Sequence, residues 1–273
     1  MDSPRVSIVT INWNGVEDTK ECIQSLLEIT YSNYEIIVVD NGSSGPDAEL
    51  LEKKFGKKIR LVKSDINLGF AKGNNLGSKS AKGEYILFLN NDTTVEKGFL
   101  DPLVEAFESE KQIGVGMPVI RDYSADWIQS AGNRLMLHGK IRQTRVLPEK
   151  EIIDVGYVSG AAMFVRRADF IKIRGFHREL FMYGEDVELC FRIARLFGKR
   201  NVCVRESVVY HKAYASTKKK GRGFLEYNDY YGKTFAIMLN LKLAYVRSAI
   251  VILSMLVEML YKPKRIAMNV KGL

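Results

Sequence analysis

The chain has 273 residues, 46% of them hydrophobic and 27% charged, with 41 Lys and Arg against 32 Asp and Glu for a formal net charge of +9. That composition suits one large globular domain, alone or with an appendage. Its three cysteines (Cys22, Cys190 and Cys203) fall in no CxxC or Cys/His spacing, which points to buried free thiols in a reducing cytosol.

The N-terminus, MDSPRVSIVT, runs directly into a strand without a basic region followed by a long apolar stretch, which argues against secretion. VSIVTI (6–11) is that strand, and a helix over 18–29 follows with Ile23, Leu26 and Leu27 on one face. EIIVVD (35–40), a helix over 47–55 and IRLVKS (59–64) continue the alternation. The Gly/Asn-rich NLGFAKGNNLG then leads into a short helix ending at Ser80, and YILFL (85–89) is the fourth strand. Continuous apolar strands separated by helices predict an α/β fold whose mostly parallel sheet is covered on both faces. Ligands of such sheets bind beyond the carboxyl ends of the strands. Four successive strand ends deliver Asn or Asp there: Asn12 and Asn14, Asp40 and Asn41, Asp65 and Asn67, and Asn90 to Asp92.

Residues 121–154 lose the alternation and read as an irregular or hairpin insertion. VGYVSGAAMFVRR (155–167) is strand-like, with small residues where a ligand could approach. A helix begins near Glu185, with Val187, Leu189, Cys190, Ile193 and Leu196 as its apolar face, and VVYH (208–211) is a short strand. KKKGRG (218–223) precedes two helical stretches, 224–240 and 242–261. The expected organisation is a catalytic domain over 1–215, in halves 1–95 and 96–215, and a basic helical extension over 216–273.

Three places could carry chemistry, and each has a plainer structural reading. Asn90, Asn91 and Asp92 could bond their own following backbone in a turn; equally, Asp92 could hold a hard divalent cation that grips a diphosphate. Glu185 and Asp186 could simply favour the start of a helix, or one of them could act as a general base beside the aromatic and glycine residues of FMYG. His211 could be structural or could complete a metal shell begun by a carboxylate. Lys72 could reach a phosphate, or its glycine-rich stretch could serve helix packing. Neither GxGxxG nor GxxxxGK[ST] occurs, so no nucleotide site rests on those motifs.

In order and spacing, VSIVTINWNG, IIVVDNGSS, NLGFAKGNNLG, YILFLNNDT, VSGAAMFVRR, GFHRELFMYGEDVELCFR and VVYH resemble the family 2 glycosyltransferases, most nearly the rhamnosyltransferase-like enzymes that build surface polysaccharides. The resemblance covers residues 6 to about 212 and implies a glycosyltransferase A-type fold, with a nucleotide-sugar half and an acceptor half. It further implies that Thr10, Asn12 and Asp40 hold the base and ribose of a dTDP-, UDP- or GDP-sugar, with Asp65 and Asn67 in the same pocket. Asn90, Asn91 and Asp92 stand where the family has Asp-x-Asp, making Asp92 the carboxylate for Mn²⁺ or Mg²⁺ and His211 a further ligand. Asp186 would be the catalytic base, with Glu185 and Tyr183 on the acceptor side, and Gly160 and Ala161 would border both sugars. Asn90 in place of the family's first Asp removes one negative charge from the metal site. The Gln-x-x-Arg-Trp pattern of processive members is absent, which implies addition of one sugar at a time. The expected chemistry is a single inverting displacement, without the paired acids of a glycosidase.

Charge and hydropathy add a partner for the tail. Residues 1–191 carry 24 Lys and Arg against 28 Asp and Glu, whereas residues 192–273 carry 17 against 4. Only ten residues separate Arg247 from Glu258, too few to span a bilayer. The stretch 241–265 is therefore expected to lie on an anionic membrane surface, or to pack on the domain or on a second subunit as a homodimer. The expected location is cytoplasmic, peripheral on the membrane face. No nucleic-acid partner is expected, because no stacking aromatics interleave with the basic run. Two other readings are a basic nucleic-acid-binding protein and a sugar-nucleotide pyrophosphorylase; the latter lacks its Gly-rich signature, since 9–15 read VTINWNG.

Overall fold

The computed structural model describes residues 3–136 and 141–213, and beyond them 231, 232, 234–236, 239 and 253. The first half alternates as its apolar runs require: β1 (Val6–Asn12), α1 (Val16–Leu26), β2 (Tyr34–Asn41), α2 (Asp47–Phe55), β3 (Arg60–Ser64), α3 (Gly69–Ser78) and β4 (Tyr85–Leu89). β5 (Thr93–Val95), α4 (Leu100–Ser109) and β6 (Ile113–Asp122) follow. The expected insertion consists of β7 (Ile128–Ser130), β8 (Asn133–Leu135), β9 (Ile141–Gln143) and β10 (Ile152–Val155). β11 (Ala162–Arg166), α5 (Arg167–Lys172), α6 (Glu185–Phe197) and β12 (Arg200–His211) complete the described elements.

The main sheet runs β10-β12-β6-β11-β4-β1-β2-β3, with β5 added on β12 and β7 on β6. β3, β2, β1 and β4 are parallel neighbours, as are β6 and β12. β11 lies antiparallel between β4 and β6 and joins the two halves. Successive side chains of a strand point to opposite faces, and that alternation divides the core into two layers. Val6, Ile8, Ile36, Val38 and Leu87 pack with Ile23 of α1, Leu51 of α2 and Phe107 of α4. Val9, Ile37, Val39 and Phe88 pack with Ala71 of α3, Phe170 of α5 and Leu189 of α6.

Two elements differ from expectation. The NLGFAKGNNLG stretch is mostly helix, since α3 starts at Gly69. A Cβ on Gly77 would come within 2.6 Å of Val9 Cγ1 and 2.7 Å of Val39 Cγ2, so close packing on the sheet explains glycine there. β12 is also far longer than VVYH, because it pairs with β6 along most of its length. The two expected C-terminal helices lie outside the described residues, apart from the seven single positions, and so does the 241–265 stretch apart from 253. Among the described residues no helix is long and apolar enough to cross a membrane.

Candidate active site

A cleft of about 370 Å³ opens beyond the carboxyl ends of β1, β2 and β4, with β7 and the loop entering α6 also on its walls. The period of two decides which strand-end residues face it. Ile11 and Asn41 line the cleft. Thr10, Asn12 and Asp40, each one residue out of phase, turn toward the α1–α2 side and do not. Asn12 Nδ2 donates to Asp40 Oδ1 and Asp47 Oδ2, each at 2.9 Å, while Asn12 Oδ1 accepts from Thr19 Oγ1 at 2.7 Å. Thr10 Oγ1 is buried without a hydrogen-bond partner among the described residues. Asp65 and Lys72 are exposed and lie outside the lining, whereas Asn67, Asn90, Asn91, Gly160 and Ala161 belong to it.

At the Asn90–Asp92 turn, the side-chain partners distinguish the two sequence readings. Thr93 Oγ1 caps the turn by donating to Asn90 O at 2.7 Å, which leaves the three side chains to other tasks. Asn91 Nδ2 donates to Thr19 Oγ1 at 2.9 Å, joining the turn to the Asn12–Asp40 network. Asp92 is buried, and its Oδ1 stands 3.2 Å from His211 Nε2. Asn90 Nδ2 is 3.5 Å from that same ring nitrogen.

Gln129, a residue the sequence reading passed over, sets the tautomer of His211. Its Nε2 donates to Asp122 Oδ2 at 2.9 Å and to His211 O at 2.7 Å. Both partners are acceptors, so the amide orientation is fixed and Gln129 Oε1 faces His211 Nδ1 at 3.0 Å. Nδ1 therefore carries a proton, so that whenever the ring is neutral its Nε2 lone pair faces the Asp92 carboxylate. A lone pair and a carboxylate oxygen at this distance want a positive charge between them.

That donor set fits a hard or borderline divalent cation that completes its shell with diphosphate and water oxygens. It is a half-site. Among the described residues no cluster of three or more His, Cys, Asp and Glu side chains could hold a metal unaided. Lys212 anchors the strand end beside it: its N–H donates to Asp92 O at 2.9 Å, and its Nζ donates to Asp18 Oδ1 at 2.7 Å and Glu21 Oε2 at 2.6 Å. Burial alone would lower the Lys212 pKa, but the two carboxylates reverse the balance and raise it. The hydrogen bond from Lys212 is the largest cause holding Glu21 below the usual carboxylate range.

Glu185, Asp186 and Tyr183 line the same cleft. Asp186 Oδ1 accepts from Val187 N at 2.7 Å, and its Oδ2 accepts from Gly160 N at 3.1 Å, tying α6 to the segment before β11. One carboxylate in the first turn of α6 thus both accepts from backbone N–H groups and lines the cleft. The backbone before it is unusual: Tyr183 and Gly184 adopt φ of 67° and 84° in succession. Gly184 is packed directly on Gly232, whose carbonyl carbon lies 2.4 Å from where a Gly184 Cβ would stand.

The Glycosyl transferase family 2 profile matches residues 7–174, more than half of the chain. The chain is a family 2 glycosyltransferase. It is 29% identical over 230 residues to O-antigen biosynthesis protein RfbC of Myxococcus xanthus, covering 79% of this chain and 18% of that protein. It is 25% identical over 239 residues to the N-acetylglucosaminyl-diphospho-decaprenol L-rhamnosyltransferase of Mycobacterium tuberculosis, covering 77% of this chain and 76% of that enzyme. The glycosyltransferase thus spans less than a fifth of the first relative's length and about three quarters of the second's.

Among solved structures, S. aureus TarS 1-349 in complex with UDP matches with a TM-score of 0.65 at 15% identity, over 93% of this chain and 72% of that one. GalNAc-T7 with UDP, GalNAc and Mn²⁺ matches with a TM-score of 0.69 at 18% identity, over 97% of this chain and 58% of that one. The architecture of the enzyme is accordingly the glycosyltransferase A-type fold. Besides Gln129, its cleft is lined by Trp13, Asn41, Asn74, Ser159 and Phe181. Trp13 and Asn41 stood at strand ends already singled out, and their in-phase position was the available signal.

Proposed function

We propose that the enzyme moves a sugar from a nucleoside-diphosphate sugar to a hydroxyl of a glycan or lipid-linked acceptor, one residue at a time and with inversion, in surface polysaccharide or glycoconjugate synthesis. The observation that carries this reading is one cleft holding both the Asp92–His211 pair and the Asp186 carboxylate. Asn67 and Asn74 offer amides to the nucleotide, Asn41 shapes that wall with its Nδ2 donating to Asn67 Oδ1 and Gly69 O at 3.2 Å each, and Asn91 with the buried Asn12–Asp40 network braces the strand ends behind it. Asp92 and His211 would hold Mn²⁺ or Mg²⁺, which when bound supplies charge neutralisation for the leaving diphosphate. Asn90, in place of a second carboxylate, keeps an amide donor beside His211.

Asp186 accepts the proton of the acceptor hydroxyl as that oxygen attacks the anomeric carbon. One attack from the face opposite the departing diphosphate inverts the centre. The Gly160 N–H fixes one Asp186 oxygen and so orients the carboxylate, while Tyr183 and Glu185 border the acceptor. Support for the substrate class comes from the mycobacterial relative, named for a diphospho-decaprenol acceptor, and from the TarS structure with UDP.

The test is a thermal-shift panel of UDP-, dTDP- and GDP-sugars with and without Mn²⁺, followed by transfer assays on Asp186→Asn. One nucleotide class is expected to raise the melting temperature only when Mn²⁺ is present. Asp186→Asn should keep that shift and lose transfer by about 100-fold or more, the usual scale of a general base. A flat panel would sink the donor assignment, and full activity in Asp186→Asn would remove it as the base.

A further inference from the structure

One helix serves both sides of the cleft. α3 presents Asn74 to the cleft, while the next side chain, Asn75, turns to the segment that leads into α6. Asn75 Nδ2 donates to Phe176 O at 2.8 Å, and Asn75 Oδ1 accepts from Phe176 N at 2.9 Å, across 101 positions of sequence. One backbone partner is an acceptor and the other a donor, so the amide orientation is fixed and a primary amide satisfies both. The fit is close. Arg174 and Gly175 adopt φ of 63° and 77° in succession, and a Cβ on Gly175 would lie 2.3 Å from Asn75 Oδ1. The buried Phe176 ring stands 5.9 Å from that of Phe70 in α3 and 4.8 Å from that of Phe88 in β4.

A second attachment holds the far end of the segment. Phe70 N donates to Phe181 O at 2.7 Å, and a Cβ on Gly69 would lie 2.3 Å from that same oxygen. The start of α3 is also the nucleotide wall: Gly69 N donates to Asn67 Oδ1 at 2.8 Å, and Leu68 N to Asn41 Oδ1 at 3.1 Å. From the other side, Arg192 of α6 donates to Ile173 O at 2.7 Å and Gly175 O at 2.6 Å. Residues 173–181 are thus tied to α6 at one end and to α3 at Phe176 and Phe181. They run directly into the Tyr183–Gly184 turn that presents Asp186.

We propose that Asn75 is a positioning residue for the transfer: by tying the 173–181 segment to α3, it fixes the Asp186 carboxylate relative to the nucleotide wall. The inference rests on the transferase reading with Asp186 as the base.

Two variants of the full chain test it. Asn75→Leu keeps the volume and removes both hydrogen bonds; Asn75→Asp keeps the acceptor and sets a carboxylate oxygen against Phe176 O. In calorimetric titration with UDP, dTDP and GDP plus Mn²⁺, both should keep the wild-type nucleotide affinity. Turnover is read as nucleoside diphosphate released from the matching sugar donor, with decyl glycosides and decyl-diphosphate sugars as acceptors. There kcat should fall by about 10- to 100-fold, the scale of a reacting group misplaced by about 1 Å. Hydrogen exchange of the 176–184 amides should be faster than in the wild type, with β1, β2 and β4 unchanged. Wild-type kcat in either folded variant overturns the proposal, as does a nucleotide affinity that falls in step with kcat. So does unchanged exchange over 176–184. A wild type that binds none of the three nucleotides overturns the transferase reading; faster exchange in the variants then still supports the Asn75 tie.

Discussion

At the residue scale the decisive group is one the sequence did not advertise. His211 and Asp92 are visible as candidates because a carboxylate and an imidazole end their strands. What makes them a pair is Gln129, whose side chain reaches His211 from β7, 82 positions away in sequence. No local pattern predicts such a contact, since Gln in a short strand is unremarked by periodicity. Gln129→Leu removes the acceptor that holds the proton on Nδ1 and frees the other tautomer to place N–H toward Asp92. Partners of a ligating histidine are worth about 10–100-fold in metal affinity. Mn²⁺ binding by Gln129→Leu, followed by electron paramagnetic resonance with the nucleoside diphosphate present, should weaken by about tenfold. The ¹⁵N chemical shifts of the metal-free His211 ring should move toward the other tautomer at the same time. Unchanged ring shifts with wild-type Mn²⁺ affinity would remove Gln129 from the site. Thr10, Asn12 and Asp40 teach a complementary point. The strand ends were readable, but the phase that turns Asn41 into the cleft and Asp40 away from it was not assigned from the sequence.

At the element scale, α6 is placed by contacts from both sides. Its sequence showed the apolar face and the acidic first turn, and it begins where expected, at Glu185. The packing behind its start lay beyond sequence reasoning. The helical residues Gly232, Phe235 and Ala236 fall on one face by their i, i+3, i+4 spacing. Phe235 meets the His177 ring at 4.6 Å, Ala236 is fully buried, and Gly232 sits on the backbone of Tyr183 and Gly184. This face therefore backs the turn that presents Asp186, whatever the rest of the basic extension does. A Cβ on Gly232 would lie 2.1 Å from Tyr183 O, a contact with backbone that no rotamer relieves. Gly232→Ala should destabilise the protein by about 1–3 kcal/mol, the usual range for overpacking. It should also lower kcat more than it weakens nucleotide binding, because the displaced turn carries the proposed base. Gly98→Ala is the control, since nothing lies within 4 Å of its added carbon. Denaturant titration and steady-state kinetics on the pair check this; equal stability of the two variants would show that the 232–236 face does not press on the turn in solution.

For the whole molecule, the parallel half was legible because the buried strands β1, β2 and β4 announce themselves as apolar runs, and the partly exposed edge strand β3 keeps their alternation with helices. The second half was legible only in pieces. β6 is among the most buried strands, with Val115, Met117 and Val119 in one layer of the core, yet Gly114, Gly116 and Pro118 interrupt its run of β-formers and mask it. The three cysteines sample both layers that these strands separate: Cys22 under the α1–α2–α4 side, Cys190 and Cys203 under the other. Burial pushes the Cys22 and Cys203 thiols up to about 12 and raises Cys190 as well. A thiol that ionises in the unfolded chain but stays neutral when folded leaves the unfolded state with fewer bound protons. Stability is then full below the unfolded thiol pKa and falls as pH rises from about 9 toward 12. Each such thiol contributes a slope of about 1.4 kcal/mol per pH unit in that window. Urea titrations at pH 8 and pH 10 should show the wild type losing stability, and Cys190→Ala losing less over the same interval whatever its starting stability. Buried tyrosines such as Tyr31, raised to about 12 by burial, add to the loss in both proteins alike and cancel in the comparison. An identical loss in the two proteins would mean that Cys190 ionises as readily folded as unfolded, and hence that the α6 side of the core admits water.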